Sequence, residues 1–500
     1  MFLLKKNLLK ICICCFVIST FLTIFAIKFL FLLSKDNEFN SLVREYLIFF
    51  KILIFIIFNF CCFFYFFKEK IKFFLVNVLN RISQISPYRW LLIVFFLAFC
   101  LRFLWIIFVP SLPTSDFLWY HKRAIGIMKN LEYSVPSGPT AYWPVGYPAF
   151  LAIIYFLFGA NIFYAKVANV ILSSLEVVIV YFLAREIFDD LIGKISSFLF
   201  AVYLENISYS SLLCSEILYL FFLLISIYLI VKFDNKNSVF VGGLFLGVSN
   251  LIRPVTLFLP FFIFFYYLRY QNFKVSFYKF LLLFFSMLIP ILPWSIRNYI
   301  VFNKLVLVST NGGCSLWMSL GPYATGTDFN VFNVGSSKDN PFLRKDLNEA
   351  ERDTLARKLA ISYAKSHLWF EVKLIPKKIF YLFKSGKSGV SDSFYKLKSK
   401  KKYHDFLFIF SAIISQVNYM IFIFLFILSI LKSGKELVKQ KSLILILFLI
   451  YYLMIFLIFK TQSRYHFPLM PFIIMIVSYF ISRKVLMGGK SEIKFGCSLL

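Results

Sequence analysis

Apolar runs recur along almost the whole chain, each bounded by short clusters of Lys, Arg, Asp and Glu. They fall near 9–33, 47–67, 90–109, 163–184, 191–207, 212–232, 238–252, 254–268, 277–296, 405–431, 442–459 and 465–482. One water-soluble core cannot absorb so many runs. A bilayer can, because about 20 apolar residues in a helix span its hydrocarbon layer. Lipid offers the backbone no hydrogen-bond partners, so such segments must be helices. Composition agrees: 60% of the 500 residues are hydrophobic, 16% are charged, and mean hydropathy is +0.80. The expected fold class is all-α and integral to a membrane, with about 12 transmembrane helices and loops on the outer face.

Charge then sets orientation. A net charge of +30 would suit nucleic acid. However, no basic helix stands apart from the apolar runs and no zinc-finger or RNA-binding motif is present, so no nucleic-acid partner is expected. With twelve spans both termini face the cytoplasm. Lys68, Lys70, Lys72, Arg81 and Arg89 are then inside, as are Lys432, Lys435, Lys439, Lys441, Arg483 and Lys484, as the positive-inside rule requires. The loop with Arg185, Glu186, Asp189 and Asp190 fits this orientation poorly.

The first run, 9–33, is too long for a signal-peptide core and lacks an A-x-A-like cleavage site, so it reads as a retained anchor. The expected organisation is a two-helix membrane anchor over 1–80, a polytopic domain over 90–482 and a cytoplasmic tail over 483–500. Two outer loops, 110–162 and 297–404, interrupt the polytopic domain. The apolar stretch 147–159 is too short to cross and is placed as a re-entrant or interfacial helix on the outer face. The runs on either side of Arg253–Pro254 are short and could form one kinked helix. Asn311-Gly312-Gly313 reads as a turn, and 343–384 as helical and amphipathic.

Few motifs carry chemistry. No Walker loop and no H-E-x-x-H occur. Cys12, Cys14, Cys15, Cys61, Cys62 and Cys100 lie in apolar runs and act as small hydrophobes. No paired CxxC suggests zinc. No cofactor is certain; a divalent metal is possible but unsupported, because a lone carboxylate is a poor metal site, and no residue is named as a metal ligand.

Asp116 lies just past the end of a span, where a carboxylate can take a proton from a hydroxyl; a solvated cap is the simpler reading. Tyr120, four residues on, shares its helix face. His121, Lys122 and Arg123 suit the headgroup level. Trp143 and Tyr147 flank Pro144 and Gly146 and suit either an interfacial anchor or a substrate contact. Glu216, Arg253, Arg297, Lys460 and Arg464 fall at outer ends of spans, where arginine forks can hold phosphate or merely snorkel. Lys166 and Glu176, in one span, can pair with other helices.

Four stretches carry a family resemblance. They are Ser115-Asp116 with Tyr120; W-P-V-G-Y-P at 143–148; YFLAREIF at 181–188 with Ser215-Glu216; and PWSIRNYIVFNKLVLVSTNGG at 293–313 with SRYHFPLMP at 463–471. In this order they resemble the polytopic glycosyltransferases of the C superfamily, notably the branch of protein O-mannosyltransferases and the aminoarabinose transferase. The likeness covers roughly 90–482. Many relatives have Pro-Pro where this chain has Pro144-Val145, and some have Lys where Trp143 stands.

The resemblance implies transfer of a sugar from a polyprenyl-phosphate donor to an acceptor hydroxyl outside a bacterial inner membrane. Asp116 would be the general base of an inverting displacement. Arg297 and Arg464 would face the leaving phosphate, and Tyr120, Tyr147 and Glu216 would bind substrate. The acceptor could be an envelope glycan, a lipid or a protein, and membrane lipids surround the chain. A transporter or flippase of lipid-linked sugars is the alternative, and a non-catalytic envelope scaffold is a third. Against the transporter stand the absence of an internal repeat and the long outer loops.

Overall fold

The structure is a computed structural model that describes residues 73, 76–233, 235–336, 340–344, 346–397, 402–439 and 441–486. The chain divides into two compact units, 1–80 and 81–500. The runs 9–33 and 47–67 and most of the 483–500 tail lie outside the described residues. Everything below concerns the second unit.

Helix α1, Pro87–Phe108, starts with proline at its first position, where the missing N–H costs nothing. Its buried face repeats every fourth residue through Trp90, Val94, Ala98, Arg102 and Ile106. The opposite face exposes Leu92, Phe96, Leu104 and Ile107. The exposed side is thus apolar and the buried side holds the arginine, the arrangement a lipid-facing helix needs.

After α1 come α2 (Ser115–Asn130), a two-stranded antiparallel hairpin of β1 (Ser134–Val135) and β2 (Gly138–Pro139), and α3 (Gly146–Phe158). Next are α4 (Ile162–Ile187), α5 (Asp190–Ala201), α6 (Leu204–Tyr209), α7 (Ser215–Lys232) and α8 (Lys236–Ile252). A short turn, Pro254–Thr256, leads to α9 (Leu259–Tyr270) and α10 (Phe273–Phe302).

Helices α7, α8 and α10 pack closely because α8 has glycines where they meet. A Cβ on Gly243 would lie 1.8 Å from Ser286 Oγ, and one on Gly247 would lie 2.2 Å from the Met287 carbonyl oxygen. Small residues let helix backbones approach where no hydrophobic effect drives them together. Gly146 likewise lets α3 start against the end of α8, since a Cβ there would meet the Leu251 carbonyl at 2.7 Å.

The outer region holds α11 (Gly312–Leu320), α12 (Glu349–Ser366), α13 (Leu368–Phe383) and α14 (Ser388–Phe394). Asn348 and Glu351 close a reciprocal cap on α12. Trp317, Met318, Ala356 and Ala360 form a small separate core between α11 and α12. The chain ends with α15 (Lys402–Lys439), α16 (Leu443–Ile458), a tight 3₁₀ turn over Ser463–Leu469, and α17 (Met470–Phe480), whose residues are all buried.

The helical membrane architecture is as expected, but the count of about twelve spans is not confirmed. Six stretches among the described residues are long and apolar enough to cross: Pro87–Phe108, Ile162–Ile187, Ser215–Lys232, Phe273–Phe302, His404–Lys439 and Ser463–Arg483. The run 191–207 breaks at Val202–Tyr203 into α5 and α6. The runs flanking Arg253–Pro254 are two helices and not one kinked helix. Arg253 is extended, as the residue before a proline tends to be, and the Asn250 side chain accepts from the Thr256 backbone N–H at 3.1 Å. The expected turn at 311–313 is the start of α11. Gly313 serves close packing there, because a Cβ would collide with the Asp353 carbonyl at 2.0 Å. The stretch 343–384 is helical in two pieces, broken at His367.

Candidate active site

A cavity of about 480 Å³ opens where the start of α2, the 143–144 loop, the start of α7, the 252–258 turn, the 305–315 segment, α12 and the 455–465 segment meet. Its wall is of two kinds. Val255, Leu257, Phe258, Leu305, Ile455 and Phe459 make an apolar side; Phe258 and Leu305 are largely exposed. Tyr120, Glu216, Arg253, Lys460 and Arg464 make a charged and polar side. Such a cavity suits a ligand with one greasy end and one anionic end.

The charged side is built from two ion pairs. Asp116 stands in the first turn of α2, where the helix dipole favours a negative charge. Its Oδ2 accepts from Arg464 Nη2 at 2.7 Å, and its Oδ1 accepts from Ser115 Oγ at 3.2 Å. Burial alone would raise the Asp116 carboxyl. The Arg464 charge and hydrogen bond, with help from Ser115 and Lys460, outweigh it and hold the group below its ordinary value. Ser115 has φ of 45°, a left-handed backbone that a non-glycine residue adopts only under constraint.

The second pair is Arg253 with Glu216, at 2.6 Å; the same guanidinium nitrogen donates to Ser215 Oγ at 3.2 Å. The two arginines converge on one ring: their guanidinium carbons lie 5.4 and 5.6 Å from the centre of Tyr465. Arg357 and Lys460 also line the cavity; Arg357 is paired with Asp353 at 2.8 Å, whereas Lys460 has no ion pair or hydrogen bond among the described residues. Burial pushes the Tyr120 phenol well above its ordinary value, so its hydroxyl stays protonated and can only donate or accept as a neutral group.

The structure brings Tyr120, Glu216 and Arg464 together on the cavity wall, with Arg253 and Lys460; Asp116 is not one of the lining residues and is joined to them through Arg464. Tyr147 stands behind them, fully buried, its ring 5.4 Å from that of Tyr120 and its hydroxyl accepting from Asn169 Nδ2 at 3.4 Å. Arg297 lies outside the cavity lining. It donates to the backbone carbonyls of Thr140 and Tyr133, both at 3.0 Å, and so pins the hairpin beside the site. Glu349 grips the same segment from α12, accepting from Thr140 Oγ1 at 2.7 Å and the Ala141 N–H at 2.8 Å. His121 faces Tyr155, its Nδ1 2.7 Å from the hydroxyl. Lys166 and Glu176 are buried in the bundle; Lys166 donates to the Ser111 carbonyl at 2.6 Å.

Sequence reasoning missed Asp392. It sits on α14 in a Lys-, Ser- and Gly-rich stretch that reads as a plain loop. Burial pushes its carboxyl up to about 6. Arg464 opposes that shift, and Glu216, Asp116 and Glu205 reinforce it. Tyr465 was also missed; only its place inside the SRYHFPLMP motif could have marked it. No group of three His, Cys, Asp or Glu able to hold a metal ion is found among the described residues.

Residues 143–296 match the family of dolichyl-phosphate-mannose-protein mannosyltransferases. The match starts at the W-P-V-G-Y-P loop and ends inside α10, so it takes in α3, α7 and the Arg253 turn. Over that region it bears out the resemblance carried by the motifs; the Ser115-Asp116 stretch and SRYHFPLMP lie outside the match. Comparison with curated protein sequences gives no match.

Among solved structures, the chain is similar to the archaeal oligosaccharyltransferase AglB from Archaeoglobus fulgidus in complex with an inhibitory peptide and a dolichol-phosphate. The TM-score is 0.47 at 14% identity, over 83% of this chain and 53% of that one. The same organism's oligosaccharyltransferase with zinc and sulfate gives 0.47 and 14%, over 80% and 50%. Its apo form gives 0.47 and 13%, over 82% and 53%. The chain spans about half the length of these structures, and scores this low carry no argument about fold or mechanism.

Proposed function

We propose that the protein transfers a sugar from a polyprenyl-phosphate donor to an acceptor hydroxyl on the outer face of a bacterial cytoplasmic membrane. The observation that carries this is the two-sided cavity: an apolar wall next to Arg253, Lys460 and Arg464, with the Asp116 carboxylate bonded to Arg464. The isoprenoid would lie along Val255, Leu257, Phe258 and Phe459. Its phosphate would meet Lys460 and the forks of Arg253 and Arg464, which match phosphate oxygens.

The reaction is a single displacement. The acceptor hydroxyl oxygen attacks the anomeric carbon, and a new C–O bond forms. The bond from that carbon to the phosphate oxygen breaks, and its electron pair leaves with the phosphate. The acceptor's proton passes to Asp116. Attack opposite the leaving group inverts the anomeric centre. Fixed cations aimed at the departing phosphate stabilise the charge that grows there. Tyr120 and Glu216 flank the sugar position, and Tyr147 supports Tyr120. The acceptor is an envelope glycan, lipid or protein reached through the outer loops.

The test is transfer by purified wild type and Asp116→Asn from a panel of polyprenyl-phosphate sugars to membrane extracts. Transfer by wild type that is lost in folded Asp116→Asn supports the enzyme and its base. Equal transfer by both removes Asp116 from the chemistry. Movement of the lipid-linked sugar across liposomes without transfer would replace the enzyme by a transporter.

A further inference from the structure

Asp116 faces a conflict in this mechanism. It must take a proton, yet Arg464 donates to it at 2.7 Å and lowers its proton affinity. A carboxylate held by a guanidinium is a weak base until that contact loosens.

Two neighbouring groups show where Arg464 can go. Its Nε–H is buried and has no acceptor among the described residues. An unmet buried donor is costly, more so on a charged group. The Asp392 carboxylate, in turn, has no hydrogen-bond donor among the described residues, while the Arg464 charge is the largest influence favouring its ionised form. One group lacks an acceptor and the other lacks a donor.

Helix α14 is fixed to the segment that carries Arg464. Ser388 Oγ and Ser463 Oγ are 3.0 Å apart, and Ser393 Oγ lies 2.9 Å from Ser211 Oγ and 3.2 Å from the Ser208 carbonyl it donates to. The helix that carries Asp392 and the turn that carries Arg464 are thus held side by side.

We propose that Arg464 is shared between two carboxylates, resting on Asp116 and turning to Asp392 during turnover, which frees Asp116 to accept the acceptor's proton. Asp392 is then a positioning residue that acts through Arg464. Its part in transfer rests on the proposed function; the exchange itself does not.

Protonation governs the exchange. The groups facing Asp392 are Arg464 on the 463–469 turn, Asp116 on α2, Glu216 on α7, and Glu205 and Tyr209 on α6. From α15, Leu407, Phe408 and Ala412 pack against the apolar side of α14. With its carboxyl raised to about 6, Asp392 is mostly ionised at neutral pH and competes for Arg464. As pH falls through about 6 it gains a proton and loses that competition. Arg464 then stays on Asp116.

The test follows the Arg464 Nε–H by NMR of protein labelled at arginine Nε, its resonance assigned by its loss in Arg464→Lys. Between about pH 5 and 8 the wild-type resonance should move with a midpoint near 6. It should stand still in Asp392→Asn and move again in Asp392→Glu. In parallel, transfer by Asp392→Asn should fall on the order of tenfold to a hundredfold in kcat with KM kept, and its acidic limb near pH 6 should vanish. A resonance that does not move in wild type, or that moves equally in Asp392→Asn, overturns the exchange. An acidic limb unchanged in Asp392→Asn also overturns it. If the resonance moves as expected but wild type uses no donor in the panel, the exchange stands and the transferase reading falls.

Discussion

Arg102 and Arg464 are both arginines among apolar helices, each beside a carboxylate, but they are handled differently. Arg102 is fully buried inside the bundle with Glu176 as its neighbouring opposite charge. It donates to Ser173 Oγ at 2.8 Å and to the carbonyls of Ala201 and Ala98 at 2.9 and 3.1 Å. That charge is sealed by helix-end carbonyls and ties α1, α4 and α5 together. Among the described residues Arg464 makes one side-chain hydrogen bond, to Asp116, and has an unmet Nε–H and a face on a cavity. A saturated arginine holds a fold, whereas an unsaturated one beside a cavity is available for a ligand.

The sharpest way to break this contrast is to remove Arg102. Arg102→Ala leaves the Ser173 hydroxyl and the Ala98 and Ala201 carbonyls without their donor inside the bundle, at about 1 to 3 kcal/mol for each buried group left unmet. Thermal unfolding in detergent should show a large drop, while the folded fraction transfers at the wild-type rate. A large rate loss in folded protein would place Arg102 in the machinery and erase the distinction. Arg464→Ala should do the reverse: a fall of about a hundredfold to a thousandfold in kcat, as for loss of one charge-stabilising donor, with a smaller change in the unfolding midpoint.

Next comes the free cation. Lys460→Gln removes a charge that has no ion pair or hydrogen bond among the described residues, so stability should hardly change. A charge-assisted contact to phosphate contributes about 1 to 2 kcal/mol, so donor KM should rise roughly tenfold with kcat kept. An equal loss with neutral and phosphorylated lipids would move Lys460 out of the phosphate site.

Much of this contrast was legible in the sequence, and the part that was not has a physical reason. The long apolar runs and the acids and arginines at their ends marked α1, α4, α7, α10, Asp116 and Arg464, because charge near lipid is costly and stands out. The short runs were less telling. A string of apolar letters does not say whether it crosses a bilayer or packs inside a bundle, and α5, α8 and α9, read as spans, form helices shorter than the six long ones. Glycine also read two ways. Gly312–Gly313 looks like a turn in one dimension, and only the approach of Asp353 shows it to be a helix contact. Asp392 was invisible because its character comes from burial and from four charges on other segments.

Arg297 gives the smallest expected effect. It shares the family-like motif with the segment leading to the cavity, yet its nitrogens are spent on the Thr140 and Tyr133 carbonyls and its guanidinium stacks 4.8 Å from the Trp294 ring. Lysine keeps the charge but cannot reach two carbonyls with a planar fork. Arg297→Lys should therefore loosen the 133–141 hairpin and shift kcat only a few-fold, through Trp143 and Pro144 at the cavity edge. Faster amide exchange confined to the 133–141 segment, with donor KM unchanged, would fit a clamp. A donor KM raised as far as in Lys460→Gln would make Arg297 a phosphate ligand, and the line between sealed and open arginines would then run inside the 293–313 motif and not between the bundle and the cavity.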